Sequence, residues 1–103
     1  MQAKILRIHI CEGDKHQGNP LCEAIVAACR ENGIAGATVF RGIEGYGETA
    51  EIHKHHLIAH DQPLTVVIVD TPDNIARLTP IVEGMLNTGV MAVSDAEMIR
   101  VQR

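Results

Sequence analysis

Aromatic side chains are almost absent from this sequence of 103 residues, which has no tryptophan, one phenylalanine (Phe40) and one tyrosine (Tyr46). Proteins that bind single-stranded nucleic acids use aromatic rings on which the bases stack. Proteins that bind the phosphate backbone carry a surplus of lysine and arginine, whereas this chain has a formal net charge of −4. The composition therefore argues against nucleic acid as a partner and predicts a core built from aliphatic side chains.

Signals for disulfides and for membrane insertion are also missing. The three cysteines are an odd number without a C-x-x-C pair, and we interpret Cys22 and Cys29 as apolar helix residues and Cys11 as a thiol at a strand end. Reduced thiols predict a cytoplasmic protein. No apolar run approaches the roughly 20 residues that a membrane span needs, and a strand pattern begins where a signal segment would lie, so we expect no direct membrane insertion.

Hydrophobic periodicity predicts four strands and two helices. A good N-cap residue followed by proline marks the start of each helix, Asn19-Pro20 for the first and Thr71-Pro72 for the second. The first helix is predicted to end near Asn32, before Gly33. The predicted strands are Lys4–Cys11, about Ala37–Ile43, Leu64–Asp70, and Val90–Val93, the last interrupted by Ser94–Glu97 and extended again over Met98–Gln102.

The order β-α-β-β-α-β predicts one α+β domain over residues 1–103. Its expected fold is a ferredoxin-like sandwich, with a four-stranded antiparallel sheet and two helices on one face. The third strand is apolar on both faces at Val66–Val69, so the face without helices is expected to be covered by another copy of the chain. The same topology brings Glu12–Gly18, Glu44–Gln62 and Asn87–Gly89 to one end of the sheet.

Four of the six histidines lie between the second and third strands, at His53, His55, His56 and His60. The spacings of His53, His56 and His60 would place three imidazoles on one face of a helix, as a divalent metal requires. The alternative is that these side chains are simply solvated. Ser94 is the only serine and no paired carboxylates are evident, so we do not expect an enzyme.

Two motifs resemble a known family. The stretch G-D-K-x-x-G-x-P-L from Gly13 to Leu21 and the stretch G-A-T-V-x-R-G-x-x-G-Y-G from Gly36 to Gly47 are similar to domain of unknown function 190 (DUF190), a small bacterial family that itself resembles the PII signalling proteins. The resemblance implies trimers with a long loop after the second strand, here residues 44–61, and adenine-nucleotide binding in clefts between subunits. Residues Ala92–Arg103 are similar to the C-terminal stretch of PII proteins.

The sequence also departs from the PII pattern. PII proteins carry a Gly-x-Gly-Lys loop before the last long strand, whereas Asn87-Thr88-Gly89-Val90 is shorter and lacks the lysine. The tyrosine that some PII loops carry for modification has no counterpart after Tyr46. The CutA-type proteins of the same superfamily are associated with divalent metals, which keeps the histidines as an alternative site.

We therefore expect a PII-like regulatory protein that forms a homotrimer, binds a small anionic effector and signals through the 44–61 loop to a partner protein, such as a membrane transporter or channel. That loop is expected to be disordered or held by contacts that differ between subunits, with Leu57 and Ile58 docking on the partner. The alternatives are a CutA-like metal-binding trimer and, last, a small enzyme acting on a phosphorylated substrate.

The expected anion-binding groups are Lys15, Arg41, Gly45, Gly47, Gly89, Arg100 and Arg103. The alternative for Arg41 and Arg100 is that they form ion pairs with Glu44 or Glu97.

Overall fold

A computed structural model of the chain describes residues 1–43 and 62–103. The elements in chain order are β1 (Gln2–Cys11), β2 (Lys15–His16), β3 (Asn19–Pro20), α1 (Leu21–Glu31), β4 (Thr38–Arg41), β5 (Pro63–Asp70), α2 (Pro72–Glu83) and β6 (Val90–Glu97). Four strands form one antiparallel sheet in the order β4-β5-β1-β6, which confirms the ferredoxin-like arrangement. β2 and β3 form a separate short hairpin before α1.

The core lies between the two helices and one face of the sheet, and it is aliphatic as predicted. β1 and β5 contribute alternate residues, so that one face of each strand is buried. Each helix buries a stripe of residues spaced three or four apart. Burying each large aliphatic side chain contributes about 1.5–3 kcal/mol. The largest fully buried side chains are Leu6, Ile8, Ile25, Val66, Ile68, Ile75, Leu78 and Val82.

The start of α1 differs from the sequence-based prediction, because Asn19 is not its N-cap. Gln17 and Gly18 both adopt positive φ, and this turn brings Asn19 opposite His16 in the β2–β3 hairpin. The first helical N–H, that of Leu21, donates instead to the Asp14 carbonyl oxygen at 2.8 Å. A backbone group replaces the expected side-chain cap.

The other predicted helix ends are confirmed. Gly33 ends α1 with a φ of 73°, and the N–H of Ile34 donates to the Cys29 carbonyl oxygen at 3.0 Å, as in a Schellman motif. Thr71 caps α2, since its Oγ1 accepts the N–H of Asn74 at 3.2 Å. No helix within residues 1–43 and 62–103 is long and apolar enough to span a membrane.

The predicted interruption of the last strand at Ser94–Glu97 is wrong, because β6 runs through these residues in register with β1. Their polar side chains find partners on the adjacent strand. Asp95 forms an ion pair with Lys4 at 2.9 Å, and Ser94 Oγ accepts a hydrogen bond from Arg7 Nη1 at 3.3 Å. Cross-strand pairs of this kind offset the low strand propensity of the individual residues.

The face of the sheet opposite the helices, which we call the outer face, is apolar at β5 as predicted. Val66 and Ile68 are completely buried beneath the helices, whereas Val67 and Val69 point to the outer face. In the single chain Val69 is 40% exposed and Phe40, on the neighbouring strand, 57% exposed. A wet antiparallel sheet face normally carries polar residues at such positions. The outer face is therefore apolar around β5 and Phe40, while the register also places Arg7, His9 and Thr65 on it.

Asp70, at the end of β5, is a buried carboxylate with a complete set of partners. Its oxygens accept hydrogen bonds from the Thr71 N–H at 2.7 Å, the Asn74 side-chain amide at 2.7 Å and the Ala35 N–H at 3.1 Å. Burial alone would raise the pKa of Asp70, but these hydrogen bonds, with the positive charge of Arg100, hold that pKa below its ordinary value. Asp70 thus joins the segment that precedes β4 to the start of α2.

We predict that Asp70→Asn lowers the free energy of unfolding by about 2 kcal/mol at pH 7, because hydrogen bonds to a charged group are lost. A carboxyl group with a depressed folded pKa stabilises the fold above its unfolded pKa of about 3.9, and that contribution disappears as the pH falls through the folded value. Urea unfolding should therefore show the difference between wild type and variant shrinking between pH 7 and pH 3.

The matched control is Asp73→Asn, on the exposed surface of the first turn of α2. It should cost about 0.5 kcal/mol, the effect of one charge on a helix N-terminus. Equal losses in the two variants, or a loss for Asp70→Asn that is as large at pH 3 as at pH 7, would contradict the role assigned to Asp70.

Candidate functional site

The ends of β1 and β4 and the starts of β5 and β6 meet at one end of the sheet, which we call the loop end. The N–H of Glu12 donates to the Gln62 carbonyl oxygen at 2.9 Å, and the N–H of Gly42 donates to the Pro63 carbonyl oxygen at 2.7 Å. Both described flanks of residues 44–61 are therefore fixed to neighbouring strands. The sequence predicted that Glu12–Gly18, Glu44–Gln62 and Asn87–Gly89 emerge at one end of the sheet, and this is confirmed for the described residues among them.

Arg41 is the last residue of β4, and it forms an ion pair at the loop end with Glu12, the residue that follows β1. The Arg41 side chain is 55% exposed, whereas that of Glu12 is 26% exposed. Burial and the neighbouring Glu23 carboxylate raise the pKa of the Cys22 thiol, and the positive charge of Arg41 opposes them. Arg41 therefore lies between the end of β1 and the first turn of α1, with much of its guanidinium within reach of solvent.

Lys15 begins the β2–β3 hairpin beside the same end of β1, and it is exposed. The hairpin is fixed by Asp14, whose carboxylate accepts the N–H of Cys11 at 2.9 Å. The described carboxylates recorded around Arg41 are Glu12, which pairs with it, and Glu23, which acts with it on Cys22. A single chain thus brings Lys15 and Arg41 to one end of the sheet, but it does not surround them with a positive field.

Gly89 lies directly before β6, and the site requires glycine there. Its φ is 145°, and a Cβ at this position would lie 2.9 Å from the carbonyl oxygen of His9. A side chain would therefore meet both an unfavourable backbone conformation and a backbone atom that cannot move away. The glycine lets the turn before β6 approach the end of β1, at the edge of the sheet opposite β4 and Arg41.

Arg100 and Arg103 are placed at the opposite end of the sheet. They follow the C-terminal end of β6, and the positive charge of Arg100 acts on Asp70, which pairs with Lys4 near the start of β1. The eight residues of β6 separate them from Gly89 by roughly 26 Å, since each strand residue advances about 3.3 Å. A single chain does not bring Arg41 and Arg100 together.

Arg41 and Glu97 both form ion pairs, but with partners other than those that the sequence predicted. Arg41 contacts Glu12, while Glu44 lies outside the described residues. Glu97 forms an ion pair with the N-terminal amino group at 2.7 Å. The ionic contact of Arg41 thus exists, but with a residue that the sequence analysis placed only at the start of a polar loop. No local pattern reveals this pair, because its members are 29 positions apart and meet only when β1 and β4 flank β5.

The remaining predicted site residues, Gly45, Gly47, His53, His56 and His60, lie outside the described residues, as do Leu57 and Ile58. The described residues contain no group of three or more histidine, cysteine, aspartate or glutamate side chains placed to hold a metal ion. The metal hypothesis gains no support from this part of the chain.

Comparison with known sequences identifies one family over almost the whole chain. The family model for DUF190, described as uncharacterized ACR, matches residues 3–98. A UPF0166 protein of Aquifex aeolicus is 37% identical over 101 residues, covering 96% of this chain and 95% of that protein. A UPF0166 protein of Methanocaldococcus jannaschii is 35% identical over 103 residues, covering 97% and 94%. Since this second relative is archaeal, the family is not confined to bacteria.

Comparison with solved structures shows the same fold in PII-like proteins. The structure of CPII, a nitrogen regulatory PII-like protein from Thiomonas intermedia K12 bound to ADP, AMP and bicarbonate, matches with a TM-score of 0.66 at 20% identity, covering 97% of this chain and 91% of that one. A protein from Thermus thermophilus described as PII-like signaling matches with a TM-score of 0.66 at 12% identity, covering 93% and 88%. At these identities the likeness shows the fold.

The geometry at Gly89 predicts that Gly89→Ala lowers the free energy of unfolding by about 1–3 kcal/mol, the cost of holding a residue with a side chain in a strained conformation. The matched control is Gly36→Ala, since a Cβ at Gly36 meets nothing within 4 Å. That control should stay within about 0.5 kcal/mol of wild type. Urea unfolding of both variants tests this, and equal stabilities would contradict the close approach of the turn to β1.

Proposed function

The chain belongs to the DUF190 family, and on this premise we propose that it is a regulatory protein, not an enzyme, that binds an adenine nucleotide between subunits. The observation that carries this proposal is the position of Arg41: a half-exposed guanidinium at the end of the sheet from which residues 44–61 depart. The solved relative with this fold that binds ADP and AMP supports the choice of ligand.

The chemistry of the loop end suits a phosphate group. A guanidinium presents parallel N–H donors that can bond two phosphate oxygens at once. Lys15 adds a second cation, and the backbone N–H of Gly89 is a further proposed donor. The amides of Gly45 and Gly47 complete the proposed set.

The proposed assembly is a homotrimer. The apolar outer face at Val67, Val69 and Phe40 supports burial against other copies, as does the resemblance to PII proteins. Assembly also offers a solution to the separation of the arginines. Since Arg100 lies beyond the far end of β6, roughly 26 Å from the loop end of its own chain, it would reach Arg41 only from a neighbouring copy. Such a site would gain the positive charge that a single chain lacks.

The proposed output is a contact between the 44–61 loop and a partner protein in the cytoplasm, such as a membrane transporter or channel. Arg41 lies three residues before Glu44, and the hydrogen bonds of Glu12 and Gly42 tie both flanks of the loop to the same strand ends. An effector on Arg41 would therefore act at the base of the loop. The divalent-metal alternative is supported neither by the described residues nor by the relatives reported above.

We predict that Val67→Glu dissociates the trimer while leaving the subunit folded, because it places a charge on the outer face, where another copy would bury it. Ile68→Glu, one residue along, should abolish the folded protein, since Ile68 lies in the core. Ala76→Glu, on the exposed side of α2, is the control and should leave the trimer intact. Sedimentation and circular dichroism distinguish the three outcomes. A wild-type protein that sediments as a stable monomer at micromolar concentration would contradict the assembly.

We predict that ADP or ATP binds the wild-type trimer, and that Arg41→Ala combined with Arg100→Ala weakens binding at least tenfold while the trimer survives. The loss of charge-assisted hydrogen bonds to phosphate is the reason. Arg30→Ala removes an exposed positive charge from the last turn of α1 and should change the affinity less than about twofold. Calorimetric titration, with and without zinc, measures each affinity and tests the metal alternative in the same experiment.

Two results would overturn this assignment. Loss of the trimer in the double variant would show that the arginines serve assembly through ion pairs. Failure of the wild-type protein to bind ATP, ADP, AMP or cyclic dinucleotides at millimolar concentration would remove the nucleotide hypothesis.

A further inference from the structure

The two carboxylate oxygens of Glu12 have different surroundings. Its backbone N–H is fixed by the Gln62 carbonyl oxygen, and one carboxylate oxygen, Oε2, contacts Nη1 of Arg41. The other oxygen, Oε1, is buried and has no hydrogen-bond partner among residues 1–43 and 62–103. The carboxylate therefore neutralises the cation of the loop end while half of its own hydrogen-bonding capacity remains unused.

This arrangement is a costly one for a carboxylate. A buried oxygen that has lost its water without gaining a donor carries the desolvation penalty of that group. Release of Glu12 from Arg41 would let both oxygens recover water, because the side chain lies at the rim of the molecule and is still 26% exposed. The ion pair is thus an interaction that a better anion can replace.

We propose that Glu12 is an internal competitor for Arg41, a carboxylate that occupies the guanidinium until the phosphate groups of the effector displace it. This inference rests on the proposed function, since it assigns the regulation of the same site. A phosphate that engages two N–H donors of Arg41 replaces a contact made through one carboxylate oxygen. Glu12 sets the affinity of the site by raising the effector concentration at which the exchange occurs.

The position of the pair gives the exchange a structural consequence at described residues. Glu12 holds Arg41 on β4 through its side chain and Gln62 before β5 through its backbone. Displacement breaks the first link and leaves the second, so β4 loses its side-chain connection to the end of β1. Effector binding would then be reported by the surroundings of Arg41 and Glu12 in addition to the ligand itself.

The test is Glu12→Gln, which keeps the size of the side chain and the backbone N–H bond but removes the competing charge. We expect ADP to bind about tenfold more tightly than to wild type, as judged by calorimetry. The control is Glu23→Gln, which removes an equal charge from the exposed first turn of α1, near Arg41, without breaking the pair. Its effect should stay below about twofold. Glu12→Ala serves as a second variant if Gln is poorly accommodated.

Two further measurements make the result decisive. In an Arg41→Ala background, Glu12→Gln should have no effect on affinity, because the residue competed for is absent. The second measurement uses inorganic pyrophosphate and follows the Arg41 Nε resonance by NMR. In Glu12→Gln this signal should respond at about tenfold lower pyrophosphate concentration than in wild type.

The outcomes separate the inference from the proposed function. If ADP binds but neither Glu12 variant tightens ADP or pyrophosphate binding, the inference is overturned and the proposed function stands. If the variants weaken binding, Glu12 contacts the ligand directly and is no competitor. If pyrophosphate tightens as expected while no adenine nucleotide binds, the inference stands and the nucleotide assignment fails. If neither wild type nor variant binds pyrophosphate or nucleotide, both are overturned.

Discussion

The antiparallel ladder between β1 and β5, from Lys4 opposite Asp70 to Cys11 opposite Pro63, is the constraint on which the rest of the described molecule depends. Side chains alternate between the faces of a sheet, so a shift of one residue in this ladder would exchange its core and outer faces. The register also places Glu12 beside Gln62 at one end and Asp70 beside the start of α2 at the other. The positions of the core, the candidate site and the outer face therefore all depend on the register of this one ladder.

Much of the fold could be predicted because its signals are local. Alternation in β1 and β5, the helical stripes, Thr71 and Gly33 are read within a few neighbouring residues. The two errors have different causes. Asn19 looks like an N-cap until a local turn at Gln17 and Gly18 brings it opposite His16 in a short hairpin. Ser94–Glu97 look like a turn until Lys4 and Arg7, distant in sequence, supply partners across the sheet, so that tertiary contacts override local preference.

The candidate site was predictable only in part for the same reason. Topology alone placed Lys15, Arg41 and Gly89 at one end of the sheet. It could not supply Glu12 as the partner of Arg41, because nothing in a polar stretch after a strand distinguishes one carboxylate from the next. Nor could a list of cations show that Arg100 lies beyond the far end of β6, near Asp70. The relative positions of the charged side chains depend on the register of the paired strands, and no local sequence pattern specifies that register.

The weak pairing of strand β4 lowers the free energy that its local opening requires. Among the described strands it pairs only with β5, over four residues, and all four are exposed, whereas β1 is paired over eight residues on each side. Free energies of opening follow such differences, from small values at sheet edges to the global value in the centre. Amide protons of β4 should exchange with solvent far sooner than those of β1. Arg41 is therefore carried by the part of the sheet that can rearrange most cheaply, while the strand that supplies Glu12 stays rigid.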